Sequence, residues 1–292
     1  MELLTLKIKP LSAFATIPKG DTIFGQIVAY DFLSGGKIFE NYLTEKPKLI
    51  VSDMMPFGYV YKPNFPLEFF KAPHESEADK KEIRKRNFIT IQNIQEGNFY
   101  KCEKVDFEKK VSVIRNSINR MTFTTDGEAF APYGDEERVY TRELWMFVLV
   151  EENIKDRVSE LITRVGKYGF GKNANIGKGH FKVEQIETPK IDLNSSYYMS
   201  LSPTILEGQG FKNVWYEPFT RFGRFGFDKG DGNVFKKTVL MADSGAVIKS
   251  TKSIPYFGVS RNNGFDTKVS FLQGYSIALP IKLEDEKCLN IK

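Results

Sequence analysis

The chain has 292 residues, which suits two domains, and its 41% hydrophobic and 27% charged residues are ordinary for a folded soluble protein. The net charge is only +5, so strong binding of nucleic acid must come from local basic patches and not from a global field. Cys102 and Cys288 form no C-x-x-C pair, which argues against a zinc knuckle or a redox motif. Because the N-terminus is not signal-like and no apolar run could span a bilayer, we expect a cytoplasmic protein.

The predicted elements of the first half alternate between strand and helix. Asp21 is expected to be the N-cap of the first helix, which Gly35 and Gly36 terminate. Residues 56–73 are aromatic and proline-rich and predict an irregular packed segment, and the charges of residues 74–86 predict a solvated helix face. The predicted strands are residues 3–9, 49–52, 88–94, 111–114, 139–150 and 179–186, and the predicted helices are residues 22–33 and 153–165.

The order of these elements is the ferredoxin-like βαββαβ pattern, interrupted by a long insertion at about residues 56–137. Long insertions of this kind are usually functional. Residues 189–196 predict a linker to a smaller β-rich unit, whose strands are expected near residues 197–203, 237–242, 246–248 and 275–283. We therefore expect an α+β fold of two domains, residues 1–188 and residues 189–292.

The segment from Gly166 to Phe181 is the most informative part of the chain. It holds five glycines, three lysines and one histidine but no acid, and Tyr168 and Phe170 add aromatic rings. Closely spaced glycines prevent a regular helix and let a ligand approach the backbone, whose N–H groups we expect to bind phosphate. A polyanion with bases to stack fits this segment better than a small neutral ligand does. A flexible surface loop is the alternative.

Five segments, taken in chain order, resemble one family. They are Gly20-Asp-Thr-Ile-Phe-Gly25, Val51-Ser-Asp-Met-Met-Pro-Phe-Gly58, Arg115-Asn-Ser-Ile-Asn-Arg-Met-Thr122, the loop from Gly169 to Phe181, and Lys236 to Gly245, where Ser244 and Gly245 stand in inverted order. Together they are similar to subunit four of the Csm complex, a RAMP-superfamily subunit of type III-A CRISPR effector complexes. Other RAMP proteins share the glycine loop, whereas residues 51–58 and 115–122 point to this subunit.

The resemblance implies tandem ferredoxin-like domains, the second diverged, with a thumb-like insertion in the first. It also implies a role without catalysis and without a cofactor. The subunit would hold the 5′ handle of the CRISPR RNA, cap the filament of backbone RAMP subunits and bridge it to the large polymerase-like subunit. Its thumb would wedge into the duplex of guide and target RNA near the handle, and no membrane is involved.

Cationic and amide side chains from three segments are the candidate RNA contacts. Lys178, between two glycines, is the leading phosphate ligand, and Asn173 would read base edges. The whole set is Arg115, Asn119, Arg120, Lys167, Lys172, Asn173, Gly177, Lys178, Gly179, His180, Arg221 and Arg224. Arg221 and Arg224 alternate with phenylalanines, which suits a single-strand groove, although a hairpin with its rings turned inward is the alternative.

Residues 115–120 have two possible roles. Their two arginines would clamp phosphates or stack on bases. The alternative is ion pairing with nearby acids, for which the candidates are Glu103, Asp106 and Glu108.

Two positions outside this set are interpreted from their neighbours. Phe123 or Phe130, at the tip of the thumb, would take the stacking place of a base pair, and packing in the core is the alternative. Asp53, between Ser52 and Met54, is interpreted as a turn residue and not as a metal ligand.

The sequence alone leaves three rival functions open. A RAMP endoribonuclease would use His180 with a lysine, because His74 lies in the charged insertion. A nucleotide-binding enzyme is disfavoured, since the loop lacks G-x-x-x-x-G-K-[ST] and leads into a strand, whereas phosphate loops lead into a helix. A purely structural filament cap with little RNA contact is compatible with the small net charge.

Overall fold

The computed structural model describes residues 1–72, 80–125, 127, 130–192, 195–211, 213–225, 234–265 and 269–283. Several sequence predictions lie outside these residues. They concern residues 74–79, which include His74, and Cys288, and they also concern residues 226–232, where the sequence predicts the end of a basic aromatic segment (residues 214–227) and a glycine-aspartate turn (residues 228–232).

Nine strands and four α-helices are described in the first half of the chain. The strands are β1 (Glu2–Pro10), β2 (Leu49–Val51), β3 (Met55–Pro56), β4 (Val60–Tyr61), β5 (Phe88–Ile89), β6 (Glu108–Arg115), β7 (Tyr133–Tyr140), β8 (Leu144–Val150) and β9 (Phe181–Ile186). The helices are α1 (Gly20–Leu33), α2 (Lys80–Lys85), α3 (Ile91–Glu96) and α4 (Lys155–Tyr168). Short 3₁₀ turns cover Leu67–Phe70, Phe99–Lys101, Glu152–Ile154 and Ala174–Ile176.

The central sheet of the first half confirms the ferredoxin-like pattern. Its strand order is β2-β8-β1-β9, every neighbouring pair is antiparallel, and β3 adds a short pairing with β8. Leu4, Leu6 and Ile8 alternate along β1 and turn one face of the sheet toward the helices. Both α1 and α4 cover this face, because their apolar side chains belong to the same buried cluster.

The insertion between β2 and β8 carries a long two-stranded hairpin, β6–β7, in which Glu108 pairs with Tyr140 and Arg115 with Tyr133. Two predictions are wrong here. The predicted strand at residues 88–94 ends at Ile89, because Thr90 caps the N-terminus of α3 and Gly97 ends that helix in a left-handed conformation. The predicted single strand at residues 139–150 is divided between β7 and β8, since β7 pairs with β6 while β8 pairs with β1.

The described part of the second half is built from strands, as the sequence predicts. These are β10 (Tyr197–Ser200), β11 (Val214–Trp215), β12 (Pro218–Arg221), β13 (Val239–Ala242), β14 (Val247–Lys249), β15 (Tyr256–Gly258), β16 (Arg261–Asn262), β17 (Phe271–Leu272) and β18 (Tyr275–Ile281). Five of them form an antiparallel sheet in the order β11-β14-β10-β18-β15, and β12–β13 and β16–β17 form two small ribbons.

The two large sheets pack against each other through a shared apolar core. Trp145, Phe147 and Leu149 on β8 point away from the helices and join Met199 and Leu279 of the second sheet in one buried cluster. The first sheet is therefore covered by helices on one face and by the second half on the other. The division of the chain at residue 188 stays a prediction. None of the described helices is long and apolar enough to cross a membrane.

Candidate nucleic-acid interface

One edge of the first sheet gathers most of the predicted site residues. Pro10 at the end of β1 pairs with Phe181 at the start of β9, and Ile8 pairs with Leu144 at the start of β8. The glycine loop (residues 166–180), the connection from β1 to α1 and the base of the β6–β7 hairpin therefore meet at this edge.

The glycine loop is fastened to the protein by its own backbone. The N–H of Gly179 donates to the carbonyl of Ala13 at 2.8 Å, and the N–H of Lys172 donates to Oγ1 of Thr16 at 2.9 Å. The N–H of His180 similarly donates to Oγ of Ser12 at 2.9 Å. These N–H groups already have protein acceptors in this structure, and the predicted backbone cradle for phosphate stays a prediction.

Gly179 shows why glycine is needed in this loop. Its φ is +72°, and a Cβ built on it would lie 2.2 Å from the carbonyl oxygen of Phe170, whose own N–H donates to Gly179 at 2.9 Å. The close approach that glycine permits is thus the approach of the chain to itself. Gly177 also has a positive φ, of +86°, but faces open space.

Three side chains of the loop point toward the β6–β7 hairpin. Lys172 Nζ lies 2.7 Å from Asp135, and Asn173 donates to the same carboxylate. Lys178 Nζ lies 2.7 Å from Glu137. The structure thus brings Lys172, Asn173 and Lys178 together around two acids of β7 that the sequence analysis missed.

Arg115 completes this cluster from the other strand of the hairpin. It donates to Glu137, and its Nε lies 3.6 Å from Asp135. Arg115 pairs with none of Glu103, Asp106 and Glu108, so the predicted ion-pair partners are wrong. The reason is the register of the hairpin, which places Val111 opposite Glu137 and Val113 opposite Asp135, on the face that also carries Arg115.

The two acids, called here the hairpin carboxylates, are buried and charged. Asp135 and Glu137 are 4% and 3% exposed. The hydrogen bond from Lys172 lowers the pKa of Asp135 below its usual range. Burial works to raise the pKa of Glu137, but the hydrogen bonds from Lys178 and Arg115 outweigh it, and the pKa is lowered.

The tip of the hairpin projects apolar side chains into solvent. Met121 is 91% exposed and Phe123 is 84% exposed, and Ile118 beside them is exposed as well. Asn119 shapes this turn, since its side chain accepts from the N–H of Met121 at 3.0 Å. Arg120 is exposed at the same tip, and Phe130 is partly buried.

The other predicted residues lie on the rim of the edge or away from it. Lys167 is exposed at the end of α4, with its Nζ 6.0 Å from the ring centre of Tyr168. His180 is half-buried beside Ser12. Arg224, in the second half, is exposed and lies over the ring of Phe235 at 4.8 Å.

Arg221 occupies a different environment from the one predicted for it. It donates two hydrogen bonds to the buried carboxylate of Asp21, one of them 2.6 Å long. The predicted N-cap role of Asp21 is wrong, because Lys19 is the N-cap residue and Asp21 lies inside the first turn. Burial raises the pKa of Asp21, although Arg221 works in the opposite direction.

Asp53 is a buried hub, a role that the sequence analysis missed. Its carboxylate is fully buried and accepts hydrogen bonds from the N–H of Gly20 at 2.7 Å, from Tyr61 at 3.0 Å and from Ser244 at 2.7 Å. Lys19, also near Asp243, lies 3.5 Å away. Asp53 therefore ties the start of α1 to the second half. Its position within one of the family-like segments, with Ser244 in another, was the available signal.

A cleft of about 850 Å³ lies beyond this hub, between the insertion and the second half. Lys62, Arg84 and Arg86 line one side of it, and Trp215 and Tyr216 line another. Because these residues are far apart in sequence, no local motif predicts the cleft. Within the described ranges, no group of three or more His, Cys, Asp or Glu side chains is placed to hold a metal ion.

The fold is α+β, with a ferredoxin-like sheet packed against a second antiparallel sheet. Solved structures of similar fold include Csm4 chains. The chain matches Csm4 of the Csm1–Csm4 cassette in complex with AMPPNP with a TM-score of 0.64 and 17% identity, over 97% of this chain and 98% of that one. For the Csm3–Csm4 subcomplex of the type III-A CRISPR-Cas interference complex, the TM-score is 0.63 at 17% identity, over 96% and 100%. No family model and no curated protein matches the chain.

Proposed function

We propose that the chain is an RNA-binding subunit of a type III-A CRISPR effector complex, without an active site of its own. The observation that carries the proposal is the convergence of the glycine-loop cations, the hairpin and the start of α1 at one sheet edge, in a fold shared with Csm4 over 97% of the chain. Single-stranded RNA is bound by cations on its phosphates and by rings on its bases, and this edge offers cations together with the exposed ring of Tyr168.

The 5′ handle of the CRISPR RNA is the proposed ligand of this edge. Lys167 is exposed at the end of α4, Arg120 at the hairpin tip and Arg224 in the second half, and each would attract phosphate. Lys172 and Lys178 would contact phosphate after giving up their carboxylate partners. Each cation that neutralises a phosphate makes binding more sensitive to salt.

The hairpin is proposed to act as the thumb near the guide–target duplex. Its exposed Ile118, Met121 and Phe123 form an apolar tip, and apolar wedges can unstack neighbouring bases when a protein bends a duplex. The neighbours in the Csm1–Csm4 cassette and the Csm3–Csm4 subcomplex support the further proposal that this chain caps the backbone filament and contacts the large subunit.

The test measures RNA binding by the purified full chain with fluorescence anisotropy over a range of salt concentrations. Lys178→Gln should weaken the binding of a single-stranded RNA and reduce the slope of log affinity against log salt by about 1. Lys178→Glu is a poorer choice, since Glu137 lies 2.7 Å from Lys178. Lys37→Gln is the matched control, because Lys37 is exposed beyond the opposite end of α1.

Two results would contradict the proposal. If Lys178→Gln leaves the slope of log affinity against log salt unchanged, the glycine loop does not contact RNA phosphate through Lys178. Cleavage of repeat RNA by the purified chain, lost in His180→Ala, would make the chain an endoribonuclease and overturn the non-catalytic part.

A further inference from the structure

Three glycine-loop side chains that are expected to contact RNA already contact carboxylates. Lys172 and Asn173 bind Asp135, while Lys178 and Arg115 bind Glu137. Three cations thus surround two carboxylates, which are almost completely buried. A carboxylate and a phosphate present the same kind of acceptor oxygen to an ammonium group or a guanidinium fork, so one cluster can accept either.

The spacing of Asp135 and Glu137 along β7 also matches the spacing of successive phosphates in a nucleic acid strand. Asp135 and Glu137 stand two positions apart on β7, so their side chains share one face of the hairpin. Two residues of an extended strand span about 6.6–6.8 Å. This is close to the separation of successive phosphates along an extended single strand of RNA.

Among the residues that the structure describes, the hairpin that carries these carboxylates has few other attachments. It is a two-stranded sheet, and isolated ribbons of this kind are marginally stable in water. At its base, Phe14 and Arg138 exchange backbone hydrogen bonds of 2.8 Å each, which fixes the point about which it would turn. Beyond that base, most residues of β6 are exposed, so the ion pairs with the glycine loop hold the hairpin down.

We propose that Asp135 and Glu137 occupy the positions of two successive phosphates of the bound RNA. RNA binding exchanges the carboxylates for phosphates at Lys172, Asn173, Lys178 and Arg115, and it releases the hairpin from the loop. In the free chain, Asp135 and Glu137 therefore occupy the phosphate sites themselves. The hairpin becomes mobile only when RNA binds. This inference rests on the proposed function, since it assigns subsites to the same RNA.

The experiment compares the affinity of Glu137→Gln and of the wild-type full chain for one fluorescently labelled single-stranded oligoribonucleotide. Removing the competing charge should tighten RNA binding by about tenfold, because hydrogen bonds to charged groups are among the stronger ones. Glu136→Gln is the matched control. Glu136 is exposed on the other face of the same strand and contacts Arg138, so its change should alter affinity by less than about twofold.

A second measurement uses only the wild-type chain, so its result does not depend on whether the variant folds. Hydrogen exchange of the β6 and β7 amides should become faster when saturating RNA is added, because the hairpin is released. Slower or unchanged exchange, or an unchanged or weaker affinity of a folded Glu137→Gln variant, overturns the exchange of anions. If wild-type chain binds no RNA at all, the proposed function itself fails, and this outcome is distinguishable from the others.

Discussion

Replacing Asp53 by alanine should destabilise the whole chain, because one buried carboxylate serves several donors. The change leaves the N–H of Gly20 and the hydroxyls of Tyr61 and Ser244 without their acceptor. These donors lie 2.7 to 3.0 Å from that carboxylate. A buried donor left without its acceptor costs about 1–3 kcal/mol. Breaking a buried charged network costs about 3–5 kcal/mol in all, and we expect that loss in the free energy of unfolding.

The assay for this prediction is thermal and urea unfolding of the full chain. A loss of this size should lower the melting temperature by about 10 °C. Asp106→Ala is the control, since Asp106 is mostly exposed and pairs with Lys104 at the surface, and it should cost less than about 0.5 kcal/mol. A folded Asp53→Ala protein within about 1 kcal/mol of the wild type would refute the role of Asp53 as a hub.

Two further predictions concern the glycine loop and its carboxylate partners. Gly179→Ala should cost more than about 3 kcal/mol of unfolding free energy, because its Cβ would meet the Phe170 carbonyl, while Gly177→Ala should cost about 1 kcal/mol for its positive φ alone. Equal costs in urea unfolding would contradict this. Because the pKa values of Asp135 and Glu137 are lowered by folding, the attachment of the hairpin is complete above about pH 5 and is lost as the pH falls through about 4 and below. Hydrogen exchange of β7, corrected for its intrinsic pH dependence, should show this loss of protection, and constant protection down to pH 3 would be evidence against it.

The first sheet was predictable because its signals are local. The alternation in β1 and the helical spacing of apolar residues in α4 each need only one segment, and the order of elements then selects the ferredoxin-like sheet. The helix α3 was missed because Ile91 and Ile94 fit a short apolar run of either kind. Thr90 and Gly97 were the capping signals that decide in favour of the helix.

The partners of the site residues could not be predicted, because they are set by long-range register. The sequence identified Lys178 as a ligand for an anion, and the anion it contacts in this structure is Glu137, 41 positions earlier. In the same way, Arg221 reaches Asp21 across 200 positions. The sequence shows which side chains are charged, whereas the identity of each counterion depends on which strands pair.

The strand β8 has a consequence for how this protein can be divided. All of its residues are buried, with Met146 and Val148 facing the helices and Trp145, Phe147 and Leu149 facing the second half. A strand that is apolar on both faces would present one of them to water if the chain were cut between its two halves. The halves are therefore not interchangeable modules, and a fragment ending near residue 188 would be expected to aggregate unless another apolar surface replaced the missing half.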